Sequence, residues 1–499
     1  HIVFGPPGVG KTSFSRHICS KFTSAPQSSS FPLVLLFYLR EKRVAEAKSL
    51  SDLLSCYGLP GDDLDHKELA RLIMRNKGNG IQIIFDGLDE RQDLLKEESS
   101  IVTRLLKGEL KEAQIMVTCR PGIVTQLSKL WHRASLYEVQ GFGPKEVKEY
   151  TESFFLKEGD PSAATKLHSA LADRPDLVGS TYIPLNLWLI CSVFSFKNYT
   201  LPDTLTQCYT ALFTQLLQRQ AEKEGLETAV GDTLEELPAS MLATLDCLSR
   251  LSYLCFLKEE LVFDEEMVVT TCLSSHAHLK TTFDGMSLLH VHPKKHGVKD
   301  HLTFNFLHST YQEYLCARHL LTAMSEKEQT AFWKANISNP RFAMVFRLYC
   351  GLSQLQVKGV QEIVKGQKLP SRCDDDDRRL LFLFYALHES GNTQLTTAIV
   401  SQLDSALTFD LLLSQYDFYV VQYCLSKAAH LRRMRFWNYD TYQSSEFAIP
   451  CVLSVASTNA LTSLKLRLSS FTLSGECNVC PVHCPTIMYR RINYYCWVG

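Results

Sequence analysis

The stretch that most constrains this chain lies at residues 5–13 and reads Gly-Pro-Pro-Gly-Val-Gly-Lys-Thr-Ser. It fits the pattern G-x-x-x-x-G-K-[ST], with Gly5, Gly10, Lys11 and Thr12 at the fixed positions and Pro6, Pro7, Gly8 and Val9 between them. Residues 1–4 before it read as a short buried strand. After it, Phe14, Ile18 and Phe22 recur every fourth residue, which predicts a helix with one apolar face. Strand, glycine turn and helix N-terminus together present unpaired amide N–H groups, and the positive end of a helix dipole, to an anion. In such a loop Lys11 reaches the terminal phosphates of a nucleotide and the Thr12 hydroxyl sits on a magnesium ion, and Ser13 is counted with the nucleotide-binding residues of the loop. The expected ligands are ATP or ADP with Mg2+.

A second feature lies some seventy residues on. Residues 81–90, Ile-Gln-Ile-Ile-Phe-Asp-Gly-Leu-Asp-Glu, make an apolar strand that ends in acid. A strand end is a rigid place from which to deliver a carboxylate beside phosphates. Asp86 is the expected magnesium-side carboxylate, and Asp89 and Glu90 are placed to orient or deprotonate a water. Taken alone, the same run also reads as a solvated Asp-Gly turn. The next strand, residues 114–119, ends in Arg120-Pro121. Arg120 is either a cation that contacts the terminal phosphate and senses its loss, or an ordinary arginine ahead of a turn proline. Strands alternating with helical stretches, with the chemistry at strand C-terminal ends, predict a parallel α/β sheet.

Composition adds limits. With 499 residues the chain is long enough for about three to five domains. Its 52 basic and 53 acidic side chains nearly cancel, so nothing in the balance points to nucleic acid or a membrane surface. The 17 cysteines are scattered singly through apolar segments, which predicts free buried thiols and a reducing compartment. No apolar run reads as long enough to cross a bilayer; the most apolar window, residues 182–196, is too short. The chain opens inside a core strand without an initiator methionine, so we expect an N-terminal part to precede it.

The residues at 5–13, the Asp86-Gly87-Leu88-Asp89-Glu90 run and Thr118-Cys119-Arg120-Pro121 together resemble the three nucleotide motifs of NACHT domains. Cys119 stands where the family usually has serine, a nearly isosteric change that leaves Arg120 in place. Gly141-Phe142 resembles the junction into the family's first helical domain. Residues 182–187, Tyr-Ile-Pro-Leu-Asn-Leu, resemble its proline motif, which implies that Pro184 packs against adenine. Residues 304–315, with His308 at their centre, resemble the histidine segment of the winged-helix region in NOD-like receptors. The resemblance implies that His308 holds the β-phosphate of ADP and locks the domains shut. Without the family, His308 reads as a residue just ahead of a helix N-terminus, with Ser309 and Gln312 forming a capping box.

The resemblance implies an α/β P-loop NTPase domain at residues 1–142, a helical domain at 143–198, a winged-helix domain at 199–325 and a second helical domain at 326–430. Residues 431–499 form an uncertain tail. Leu461 to Leu466 there look faintly like the opening of a leucine-rich repeat. Residues 221–236 read as a mobile polar insertion, residues 290–296 as an exposed hairpin rather than a metal site, and Asp374 to Asp377 as a solvated break. Cys477, Cys480, His483 and Cys484 have zinc-knuckle-like spacing without a second ligand pair, leaving metal binding and an irregular tail both open.

For function, the resemblance implies a cytoplasmic ADP/ATP signalling switch in innate immune sensing. It would be closed with ADP, opened by ATP and oligomerising when active. Protein partners would act through an effector domain ahead of residue 1, and hydrolysis would serve at most as a slow reset. A rapid AAA-like remodelling ATPase is the alternative.

Overall fold

The computed structural model describes residues 1–24, 31–56, 65–95, 99–120, 123–131, 134–172, 174–226, 233–260, 262–271, 289–296, 299–306, 308–337, 339–353, 369–374, 378–410, 413, 415–438, 463–468, 487–490 and 493–496. The chain divides into two compact units. One comprises His1–Gly141, Ile183–Leu185 and Arg250–Gln312, and the other Phe142–Tyr182, Asn186–Ser249 and Glu313–Gly499.

In the first unit, β1 (Ile2–Phe4), β2 (Leu33–Tyr38), β3 (Ile81–Asp86), β4 (Gln114–Cys119) and β5 (Leu136–Glu138) form one sheet in the order β2-β3-β4-β1-β5. Every pairing is parallel, as the alternation of strands and helices predicts. Val3, Ile84 and Met116 from three neighbouring strands make a buried cluster, onto which Ile18, Cys19, Val34, Leu36 and Val139 pack. The first helix, Lys11–Ser24, therefore buries a face one residue round from the expected one. Phe14 is 44% exposed, and Ser15 is fully buried in its place. The reason is polar: Ser15 is drawn inward to a carboxylate at the end of β3.

The same unit holds β6 (Val262–Asp264), β7 (Leu289–His296) and β8 (Lys299–Phe306), antiparallel in the order β6-β8-β7. The hairpin expected around residues 290–296 is thus formed by β7 and β8. Phe263 stacks on Phe304 with ring centroids 5.7 Å apart, and β8 leads into the helix Ser309–Ala323.

The second unit is mainly helical. Glu389, on Arg379–Ser390, is its polar anchor. One carboxylate oxygen accepts from the Thr206 amide (2.5 Å) and hydroxyl (2.7 Å). The other accepts from Arg347 Nε (2.8 Å) and its terminal nitrogen (2.7 Å). Burial alone would push the Glu389 carboxyl up, but Arg347 and Thr206 outweigh it and hold it below the ordinary range. Three helices, Leu205–Lys223, Ala343–Leu352 and Arg379–Ser390, are joined at this one carboxylate. Removing one member of a buried pair leaves its partner uncompensated, at a cost of about 3–5 kcal/mol. Glu389→Ala should lower the denaturation midpoint accordingly, and an unchanged midpoint would show that the network is not structural.

Farther along, β9 (Arg372–Asp374), β10 (Ala406–Asp410), β11 (Arg433–Asn438) and β12 (Ser463–Leu468) pair in parallel, each with the next in sequence. Register aligns Cys373, Phe409, Phe436 and Leu466 in one row, and Leu407, Met434 and Leu464 in the next. Phe409 and Phe436 stack 5.0 Å apart, both buried. Strands recurring roughly every thirty residues, with helices between β9 and β10 and between β10 and β11, are the geometry of a solenoid. This ladder begins inside the stretch expected to be purely helical. Asp374 lies in β9, not in a loop; residues 375–377 fall outside the described residues.

Two further expectations change. In the polar insertion the helix Leu205–Lys223 runs in from one side and Thr233 forms a capping box with Glu236 at the other, residues 227–232 lying outside the described residues. Ala239–Leu257 is long and apolar enough to pass for a membrane span. Its Met241, Leu245, Leu248, Leu251 and Cys255 are buried within the protein, as in a core helix.

Candidate nucleotide site

The sheet order decides where the candidate residues meet. With β4 between β1 and β3, the C-terminal ends of the three strands deliver the glycine loop, Arg120 and Asp86 side by side. Phe4 pairs with Cys119, and the Gly5 amide bonds the Cys119 carbonyl at 3.3 Å. Gly8 has φ +78°, and a Cβ there would lie 2.8 Å from that of Leu185. The Leu185 amide in turn donates to the Gly8 carbonyl at 3.2 Å. The segment Ile183–Leu185, with half-buried Pro184 at the start of its helix, therefore lies directly against the loop. Val9 is buried, Pro6 and Pro7 are half-buried, and Ser13 is exposed on the helix's outer side.

Lys11 bends back over the loop, its Nζ donating to the carbonyls of Gly5 (2.8 Å) and Pro6 (3.0 Å). Burial lowers its pKa, partly offset by the negative charge of Asp89. Asp86 is only 4% exposed. Its Oδ2 accepts from Thr12 Oγ1 at 2.7 Å, and its Oδ1 accepts from Ser15 Oγ at 3.1 Å and Thr118 Oγ1 at 2.7 Å. Thr118 also accepts the Gly87 amide at 2.9 Å. The hydroxyls aim the carboxylate. Thr12 and Asp86 bring two hard oxygens together where a magnesium ion needs a few protein oxygens and shares the rest among phosphates and waters. The donor set fits that ion.

Asp89 and Arg120 are partners. One Asp89 oxygen accepts the Arg120 amide and the other faces Arg120 Nε, each at 3.0 Å. Arg120 also donates from a terminal nitrogen to Ser309 Oγ at 3.1 Å. Glu90 folds beside Gly87, whose φ of +83° admits no ordinary side chain and whose Cβ would lie 2.9 Å from Glu90 Oε2. Burial, then the charge of Asp89, push the Glu90 carboxyl up to about 8.

His308 lies in this unit as well, but the helix start differs from expectation. Its Nδ1 accepts the Thr310 amide at 3.1 Å, so His308 itself caps the helix. Ser309 turns to Arg120, and Gln312 donates to the Glu260 carbonyl at 3.2 Å. With Nδ1 an acceptor, the neutral ring carries its proton on Nε2. Burial, helped by the cations Arg120, Lys11 and Arg40, drives its pKa down to about 3. Among the described residues, then, the structure gathers Lys11, Thr12, Asp86, Asp89, Glu90, Arg120, Pro184 and His308 in one unit. Ser15 and Arg40 carry no signal in the sequence motifs, and Ser309 reads there only as a cap. Ser15 was detectable, three residues past Thr12 on the same helix face.

The domain model described as "NACHT domain" matches residues 1–158. The chain carries a NACHT domain over residues 1–158. Its NACHT region continues into a chain similar to NOD-like receptors. The NACHT, LRR and PYD domains-containing protein 3 of Bos taurus is 25% identical over 345 residues, covering 64% of this chain and 30% of that protein. A Danio rerio homolog of the corresponding protein 1 is 23% identical over 464 residues, covering 81% and 31%. The human NLR family CARD domain-containing protein 3 is 23% identical, covering 69% and 33%. The chain thus spans about a third of the length of the curated relatives it matches. Among solved structures, a signal transduction ATPase with numerous domains and a tetratricopeptide repeat sensor, from Pyrococcus horikoshii, matches at 15% identity. It covers 92% of this chain and 61% of that one, with a TM-score of 0.29.

Among the described residues no cluster of histidine, cysteine and carboxylate side chains could hold a metal ion in the manner of a zinc site. Cys477, Cys480, His483 and Cys484 lie outside the described residues. Ten described cysteines are free, eight of them buried. Cys247 departs from the expectation of free thiols and stands in a disulfide.

Proposed function

We propose that the chain is the core of a NOD-like-receptor-type signalling switch in innate immune sensing, closed around ADP and opened by ATP. The observation that carries this reading is the Arg120–Ser309 hydrogen bond of 3.1 Å. It ties the end of a nucleotide-sheet strand to the helix that His308 caps. With ADP, Lys11 and the loop amides hold the phosphates, His308 Nε2–H donates to the β-phosphate, and Arg120 stays on Ser309. A γ-phosphate competes for the Arg120 guanidinium, which binds phosphate oxygens more strongly than a neutral hydroxyl. Magnesium, held by Thr12 and Asp86, would neutralise phosphate charge when bound.

A ligand moves a two-state equilibrium only by its difference in affinity for the states. Shifting 1:99 to 99:1 needs about 5.5 kcal/mol, which two or three bonds to charged groups at about 1.5–3 kcal/mol each provide. The site holds enough such groups. The free buried thiols support a cytoplasmic setting. The parallel ladder β9–β12 supports an assignment as leucine-rich repeats, with β6–β8 as part of a winged-helix domain. Self-association on activation, and partners acting through a preceding effector domain, complete the reading.

The test is the nucleotide retained by purified protein, with its turnover. A switch holds ADP tightly and turns over far below about ten per second, a median enzyme rate. His308→Ala should release ADP at least about tenfold faster, as loss of one bond to a charged phosphate implies. Fast turnover indifferent to His308 would instead indicate a remodelling ATPase and sink the switch.

A further inference from the structure

Arg40 follows the edge strand β2 and belongs to no expected motif. Its backbone is fixed beside the acidic loop, because Tyr38 pairs with Asp86 and the Leu39 amide donates to the Asp86 carbonyl at 3.0 Å. Its guanidinium is half-buried and stacks over the Tyr38 ring at 4.9 Å. Arg16, on the first helix, lies over the same ring at 5.7 Å and donates to the Tyr38 hydroxyl at 3.1 Å. Tyr38 is thus held from the phosphate-loop helix and in turn holds Arg40.

Among the described residues Arg40 forms no ion pair. The neighbouring acids are engaged elsewhere: Asp89 by Arg120, and Asp86 by three hydroxyls. Yet its charge is felt at two separate places in the site, the Glu90 carboxyl and the His308 ring. A stacked guanidinium that acts on both groups, with its N–H fork uncommitted to any carboxylate among the described residues, is suited to an anion that arrives from outside. Guanidinium and phosphate match in shape as well as charge.

We propose that Arg40 is a second phosphate-reading arginine, contacting the terminal phosphate of a nucleoside triphosphate from the β2 side and setting the preference for triphosphate over diphosphate. The assignment rests on the nucleotide reading of the site. Arg120 and Arg40 then flank the γ-phosphate from the ends of β4 and β2, the strands on either side of β3. Only Arg120 is tied to Ser309, so Arg120 carries the message while Arg40 supplies affinity. Tyr38 positions Arg40 and does not touch the nucleotide.

The test is calorimetric titration of the full chain, freed of nucleotide, with ADP and with a non-hydrolysable ATP analogue in the presence of Mg2+. Arg40→Ala should weaken the analogue about tenfold or more, the loss expected for a bond between charged groups. ADP affinity should stay within about twofold, which also shows that the variant is folded. Arg40→Lys keeps the charge without the fork and should recover part of the loss. Tyr38→Ala should reproduce part of it. Equal losses for both nucleotides, or none for the analogue, would overturn the assignment of Arg40 while leaving the switch standing. A wild-type chain that binds neither nucleotide would remove the switch and this assignment together.

Discussion

Lys11→Ala should lose ADP and ATP alike, by at least about 100-fold in affinity. The side chain is preset: its Nζ already lies over the loop, bonded to the carbonyls of Gly5 and Pro6 at 2.8 and 3.0 Å. Phosphate oxygens entering there meet an oriented ammonium, so little ordering cost remains to be met on binding. Two bonds to charged groups, at about 1.5 kcal/mol or more each, come to about 3 kcal/mol, and each 1.4 kcal/mol is about tenfold in affinity. Burial strengthens the effect, because the half-buried ammonium acts through less water than a surface lysine would. Lys11→Arg should not restore binding: its planar fork cannot keep both loop carbonyls and the phosphates. Titration calorimetry with each nucleotide, alongside the nucleotide content of the purified variant, reads both effects. Unchanged affinity in Lys11→Ala would show that residues 5–13 are only a glycine turn, and every other assignment to the site would go with them.

How much of this was legible in the sequence divides by range. The phosphate loop and the acidic strand end are local: one needs glycine at tight backbone positions, the other an apolar run stopping at acid, and both leave their residues in a row. The parallel sheet followed from them. Contacts assembled across long separations were not legible. Nothing local marks Ser309 as the acceptor of Arg120, 189 residues away, and its place at a helix start reads more simply as a cap. Hydrophobic period alone would bury Phe14, but the carboxylate of Asp86 requires a hydroxyl from the same helix. Ser15 answers that need and turns the helix face with it. The ladder from β9 to β12 was missed for a related reason. Its strands are short, the first three are separated by helices, and only the pairing of Cys373 with Phe409, and of Phe409 with Phe436, reveals the repeat.

The structure also separates two acids that looked equivalent, and so predicts different consequences for each. Both oxygens of Asp89 are committed to Arg120, which makes Asp89 the residue that aims the arginine. At Glu90 the cations Arg40 and Arg120 offset only part of the shift; burial, then the charge of Asp89, raise its pKa to about 8. We propose Glu90 as the general base of any hydrolysis; a base must be deprotonated to accept a proton, so its working form is the minor one at neutral pH and becomes dominant only above about 8. Any hydrolysis should therefore be slow at neutral pH, rise about tenfold per pH unit below that value and level off above it. Glu90→Gln should cut turnover about 100-fold or more, the usual share of a general base. It should flatten the pH profile and leave ADP affinity unchanged. Asp89→Asn should behave otherwise. It frees Arg120 from its guide, so its main effect should fall on triphosphate affinity, with the pH dependence retained and its midpoint moved down as a neighbouring negative charge is lost. Single-turnover hydrolysis across pH 6–9 for the three proteins distinguishes the roles. A Glu90→Gln variant with wild-type turnover would mean that water is activated by another group, and identical profiles for the two variants would mean that the acids act as one.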